Sequence, residues 1–109
     1  MSIYDLKWSN DEKRAARKAF DNAYQREMEE IKSLFLEKVS KIKNNTDLWA
    51  IEEFLSNKRR VLDKKYDFRY SQLILVFSRL QSEGYIVEED VKDLDDEKKE
   101  LIKNLSTEK

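Results

Sequence analysis

The side chains with the most chemical potential stand in one stretch, DLWAIEEFLSNKRRVLDKKYD from Asp47 to Asp67. Within it Trp49, Glu52, Glu53, Arg59, Arg60 and Asp63 recur at steps that a helix brings to one side. Carboxylates and guanidinium groups could in principle run acid–base chemistry or grip a cation. Such chemistry draws most often on His as the base and Cys as the nucleophile, and the chain has neither. The adjacent carboxylates Glu29 and Glu30, Glu52 and Glu53, and Asp95 and Asp96 point about 100° apart on a helix, so they do not converge on one metal. No catalytic residue, metal ligand set or cofactor is expected. The remaining chemistry is recognition, because a tryptophan and arginines among flanking charges are the usual anatomy of a protein-binding surface.

Helices must position this set. The 109-residue chain has no proline and one glycine, Gly84, so the turn chemistry that β-hairpins need is almost missing. Ser9 and Glu12 match a capping box, with Trp8 placed as a staple before the cap. Ala16, Phe20, Tyr24, Met28, Ile31, Phe35, Val39 and Ile42 then recur at helical steps, which predicts a first helix from about Asn10 to about Lys43. Asn44, Asn45 and Thr46 interrupt it, and Thr46 or Asp47 can cap the next helix. Leu48, Ile51, Leu55, Leu62, Tyr66, Leu73, Phe77 and Leu80 form a second stripe, which predicts one helix from about Asp47 to about Glu83, ended by Gly84. A short helix over EEDVKDL and a last one capped by Asp95 follow, and the final Ser-Thr-Glu-Lys should fray.

The predicted fold class is all-α: a single domain made of an elongated antiparallel stalk of two long helices, about residues 9–70, and a small helical head, about 71–109. Helices of such length leave a flank of each uncovered, so a second copy is expected to complete the core through a two-fold interface. On the second helix Trp49 lies opposite the apolar stripe, beside Glu52, Glu53, Arg60 and Asp63, while Arg59 borders the stripe that holds Leu48 and Leu55. Three roles are open to Trp49. It can cover the helix end or the N-terminal tail, seal a dimer seam, or anchor an outside partner, and the last two can be combined.

Charge narrows the partners. Lys plus Arg number 22 against 23 Asp plus Glu, so no broad field points to a polyanion or an anionic membrane. Lys58, Arg59, Arg60, Lys64 and Lys65 could suggest nucleic acid, but Asp63 and Asp67 interrupt them, and a solvated face is expected. No signal-peptide pattern and no run of about 18 apolar residues is present, so the expected location is the cytoplasm and no membrane span is expected.

The same stretch carries a family resemblance. DLWAIEEFLSNKRRVLDKKYDFR, Asp47 to Arg69, resembles the central motif of the cyanobacterial fluorescence recovery proteins: Asp-Leu-Trp, an acidic residue before Phe-Leu-Ser, Lys-Arg, then Asp-x-Lys-Tyr-Asp-x-Arg. WSNDEKRAARKAFDNAYQRE upstream and LVFSRLQSEGYI downstream are similar more weakly. The resemblance implies an all-helical dimer that is no enzyme. It would bind the light-activated red form of the orange carotenoid protein, chiefly through that protein's C-terminal domain, and speed its return to the orange form, ending quenching at the phycobilisome. The family's patch of Trp, His, an acidic residue and Arg falls on Trp49, Glu52, Glu53 and Arg59, so the His position holds a carboxylate and the usual Asp is one methylene longer. Leu75, Phe77 and Tyr85 in the head are expected to offer a second contact surface. A different protein client, met in an organism without the carotenoid protein, is the alternative partner.

Overall fold

The computed structural model describes residues 2–107, and among them every regular element is helical. Helix α1 spans Asn10–Ser40, α2 Asn45–Lys65, α3 Leu73–Ser82 and α4 Asp96–Thr107, with a 3₁₀ turn at Glu88–Val91. The Cα radius of gyration is 16.8 Å and the principal extents are 55 × 25 × 23 Å. A compact domain of this length has a radius of gyration of about 13 Å, so the chain is drawn out along one axis.

Local sequence accounts for most element ends. Ser9 accepts from the Glu12 backbone N–H at 3.1 Å while the Glu12 carboxylate accepts from the Ser9 N–H at 3.0 Å, the reciprocal pair expected. Trp8 is no staple, since the residue it would meet, one turn on, is Lys13. Its ring instead packs at 5.8 Å from Tyr70 and under the Lys98 ammonium at 5.0 Å. Helix α2 is capped by Asn44, and Asp47 closes the box from the third helical position, where Thr46 or Asp47 was expected as the cap. Gly84, at φ 88°, ends α3. The Gly84 N–H reaches the Gln81 carbonyl at 3.1 Å and the Tyr85 N–H the Leu80 carbonyl at 2.8 Å, a Schellman ending. Asp95 accepts from the Lys98 N–H at 2.9 Å and so caps α4. Helix α4 includes Ser106 and Thr107, against the expected fraying there, and the rest of that tail lies outside the described residues.

The second long helix expected from the stripe is in fact two. Chain 66–72 leaves the helix without a proline or glycine to force it. Tyr66, Phe68 and Tyr70 alternate with Asp67, Arg69 and Ser71, and that period of two is the signature of extended chain. The three rings lie along α1 and Trp8: Tyr66 is 5.4 Å from Phe20 and 5.1 Å from Tyr24, Phe68 is 4.9 Å from Phe20, and Tyr70 is 5.6 Å from Phe68. Edge-on contacts of this kind contribute about 0.5–1.5 kcal/mol each beyond their buried area. A continuous helix would turn successive rings about 200° apart and lose this ladder.

The core sits at the head end. Ala16, Ala19, Phe20 and Ala23 of α1 meet Leu73, Ile74, Val76, Phe77 and Leu80 of α3, with Ile86, Val91, Leu94 and Ile102 closing the other side. The three alanines let α3 approach α1 closely. Helix α1 therefore belongs to both parts of the molecule: its first half builds the head, and its second half pairs antiparallel with α2.

Candidate functional site

Beyond Ile31 the α1–α2 hairpin is two helices thick and buries little. Ile51 and Leu62 are its covered α2 residues, together with Lys65. Leu48 and Leu55, assigned to the same stripe, are 49% and 38% exposed. They lie on one flank of the hairpin, where Tyr24, Met28 and Ile31 of α1 and Leu55, Lys58, Arg59, Leu62 and Asp63 of α2 line an open groove of about 430 Å³. One wall of that groove is apolar and the rim is charged.

Trp49 is 69% exposed and, among the described residues, stacks on no other ring, so in the single chain it covers neither the helix end nor the described part of the tail. Glu52 accepts from the Ser56 hydroxyl at 2.8 Å, and Arg60 donates to the Asn57 side chain at 2.8 Å. Arg59 stands 3.9 Å from Asp63 across one helical turn, with most of both side chains in solvent. A pair so exposed holds its partners loosely, since such bridges contribute about 0–1 kcal/mol. Glu53 is exposed as well. The strip Trp49, Glu52, Glu53, Arg59, Arg60 and Asp63 is thus continuous on the outer side of α2, and it meets Leu48 and Leu55 at the groove's edge. Apart from Glu53, its charged groups bond to neighbours about one turn away, so an arriving partner can exchange these bonds for its own at small cost.

The expected head surface divides. Leu75 is 37% exposed. Tyr85 is half-buried and its phenol donates to Glu30 at 2.6 Å. Burial and that carboxylate push the Tyr85 hydroxyl above the ordinary phenol range. Phe77, expected to offer contact, is fully buried in the core, because it lies one turn from Leu73 and Leu80 on the stripe that α1 and α4 cover. Lys65, expected on a solvated basic face, is buried too. Its ammonium donates to Glu27 at 2.7 Å and to Glu83 at 2.7 Å, and the Tyr66 hydroxyl donates to the other Glu27 oxygen at 2.8 Å. Burial raises the Glu83 carboxyl, but Lys65 and Arg79 outweigh it and hold that group below the usual carboxylate range. Reasoning from sequence missed this junction, although Lys65, Glu27 and Glu83 each fall on an apolar stripe, a position where a charge needs a partner.

Among the described residues no three acidic side chains are grouped to hold a metal ion, and no helix is long and apolar enough to cross a membrane.

The comparisons with known proteins agree with one another. The family model described as photoprotection regulator fluorescence recovery protein matches residues 8–106. The fluorescence recovery protein of Synechocystis sp. strain PCC 6803 is 38% identical over 99 residues, covering 91% of each chain. The solved structure of that protein superposes with a TM-score of 0.86 at 38% identity, over 92% of this chain and 98% of the other. The fluorescence recovery protein of Fremyella diplosiphon does so with a TM-score of 0.86 at 36% identity, with the same coverage. Likeness in sequence and in fold over nearly the whole length means that the chain belongs to the fluorescence recovery protein family.

Proposed function

We propose that this chain is a non-enzymatic regulator that binds the photoactivated orange carotenoid protein and speeds its return to the orange form. The observation that carries the reading is family membership over residues 8–106 together with an exposed Trp49–Arg59 strip in the stretch that bears the family's motif. Such an acceleration requires that the chain bind the transition state of relaxation more tightly than the red form, the differential binding that any catalyst of a conformational change must supply. Trp49 provides apolar area at low entropic cost, Arg59 and Arg60 provide charge, and Glu52, Glu53 and Asp63 set the register by opposing wrong partners. Leu75 and Tyr85 lie on the head and would form a second contact.

The same reading includes a homodimer. Leu48, Leu55, Tyr24 and Met28 leave the groove flank uncovered in a single chain, and a second copy would close it through a two-fold interface. The expected place of action is the cytoplasm.

Recovery of illuminated orange carotenoid protein in darkness, followed by absorbance with and without a stoichiometric amount of this chain, tests the proposal. Faster return to the orange form supports it, and an unchanged rate without co-elution overturns it. A second reading is favoured by Glu52, a carboxylate at the family's His position beside Glu53. In it the dimeric scaffold serves a different protein client, and pull-down from the native cell extract with Trp49→Ala as control would identify that client.

A further inference from the structure

The hairpin and the head are held by different means. Between Ile31 and Lys65 the buried residues are Ile51 and Leu62, and Phe35, Ile42 and Phe54 are half-buried. Six of the ten residues of α3 are buried, and that helix packs on both α1 and α4. A helix in a protein takes most of its stability from packing an apolar side, so α2, 21 residues long with two buried apolar residues, has little beyond its capping box to hold it helical. The line between the two parts is narrow. The turn after α3 grips α1 without the help of α2: Arg26 donates to the Tyr85 carbonyl at 2.9 Å and to Asp90 at 2.7 Å, and Tyr85 donates to Glu30 at 2.6 Å. Lys65, one turn beyond Leu62, is fixed by Glu27 of α1 and by Glu83 at the end of α3, and Tyr66 and Phe68 continue the anchorage along Phe20. Ile51 and Leu62, on the other side of that line, stand apart from the core of the head.

We propose that the hairpin arm, residues 32–64, opens and closes as one unit while the head stays closed, with Lys65 as the point where opening stops. Regions with little buried apolar area open locally at lower free energy than the core they adjoin, and they do so in contiguous cooperative units. Opening past Lys65 would leave Glu27 in a covered site without its cation, and that penalty marks the limit. The arm carries the strip from Trp49 to Asp63, whose side chains share one face only while α2 is helical. The population of the closed arm therefore sets how much of the chain presents that face, whichever partner it meets. The inference rests on burial and on the Lys65 junction, so it stands or falls independently of the recovery reading.

The test is amide hydrogen exchange of the full chain near neutral pH, read by mass spectrometry over short peptides. Peptides from α2 are expected to exchange about tenfold faster or more than those from α3, and to respond less to low urea, because a smaller surface is exposed when the arm opens. Peptides from α1 should divide at Glu30 and Ile31, slow before and fast after. Leu80→Ala weakens the head alone. It should speed exchange in α3 by about tenfold or more and leave α2 unchanged, because the closed head is common to the open and the closed arm. Ile74→Val serves where Leu80→Ala fails to fold by circular dichroism. A second copy on the groove flank would slow α2 in the variant and the unmodified chain alike, so the comparison holds at any one concentration. The proposal is overturned by equal rates in α2 and α3, by uniform exchange along α1, or by equal acceleration of α2 and α3 in the head variant, since the chain then opens as a single unit.

Discussion

Trp49 and Lys65 stand on the same helix and show how little residue type says about role. Trp49 is exposed and contacts no ring among the described residues, so Trp49→Ala should change unfolding free energy by less than about 0.5 kcal/mol in urea titration while weakening partner binding by about tenfold or more. Arg59→Leu should act the same way, since its bridge to Asp63 is long and solvent-exposed. A large loss of stability in either variant would move the strip from recognition to folding. Lys65 gives the opposite expectation. Its side chain is 3% exposed and neutralises two carboxylates, so Lys65→Met leaves Glu27 buried beside an apolar group and should cost about 3–5 kcal/mol. Combining it with Glu27→Gln should restore part of the loss, a coupling that a double-mutant cycle reads directly.

Among the elements, the joint between α2 and α3 departs furthest from helical periodicity. The stripe through Leu62, Tyr66, Leu73 and Phe77 fits one helix, yet the aromatic alternation at Tyr66, Phe68 and Tyr70 fits an extended segment, and the rings win because α1 and Trp8 offer them a surface. Phe68→Ala removes the ring that contacts both Phe20 and Tyr70 and lies under Arg17. It should cost about 2–4 kcal/mol in chemical denaturation, below the upper range for a Phe deletion because the site is only half-buried. The end of α3 depends on Gly84 in a different way. A side chain there would meet nothing within 4 Å, so the penalty of Gly84→Ala comes from the positive φ alone. About 1 kcal/mol is expected, and a neutral result would mean that the turn relaxes.

For the molecule as a whole, the distribution of burial sets both assembly and response to pH. The head is closed by a core shared among α1, α3 and α4, whereas the hairpin exposes Leu48, Leu55 and Val61. Multi-angle light scattering should give twice the 13.2 kDa chain mass at micromolar concentration, and Leu48→Glu should reduce it to that of a single chain. Persistence of a monomer in the unmodified chain would remove the two-fold interface. Acid should loosen the head first. Glu12 and Asp90 are raised by burial but more strongly lowered by their hydrogen bonds and by Lys98 and Arg26 respectively, and Asp95 is lowered chiefly by the Lys98 N–H. Folded carboxyls held below their unfolded values contribute stability that is present above about pH 4.5 and is lost as the pH falls through the folded values. Thermal melts should therefore shift down between about pH 4.5 and 3, and a flat profile there would show that these bonds persist in the unfolded chain.

The helical class, both capping boxes' neighbourhoods, the Gly84 ending and the grouping of Trp49 with Glu52, Glu53, Arg59, Arg60 and Asp63 were legible in the sequence. Each depends on contacts within a few residues or on the helical period, and such information is local. The division of the second stripe into α2 and α3, the burial of Phe77 and Lys65, and the exposure of Leu48 and Leu55 were decided by tertiary packing. A periodic stripe states only that one side of a helix is apolar. Whether that side is covered depends on where another element ends, and here α1 covers Ile51 and Leu62 but cannot reach across to Leu48 and Leu55. The Lys65 junction needed three chain segments brought together over 18 and 38 residues of separation. No spacing rule spans such distances, because the burial that makes the cation seek both carboxylates exists only once the head has closed.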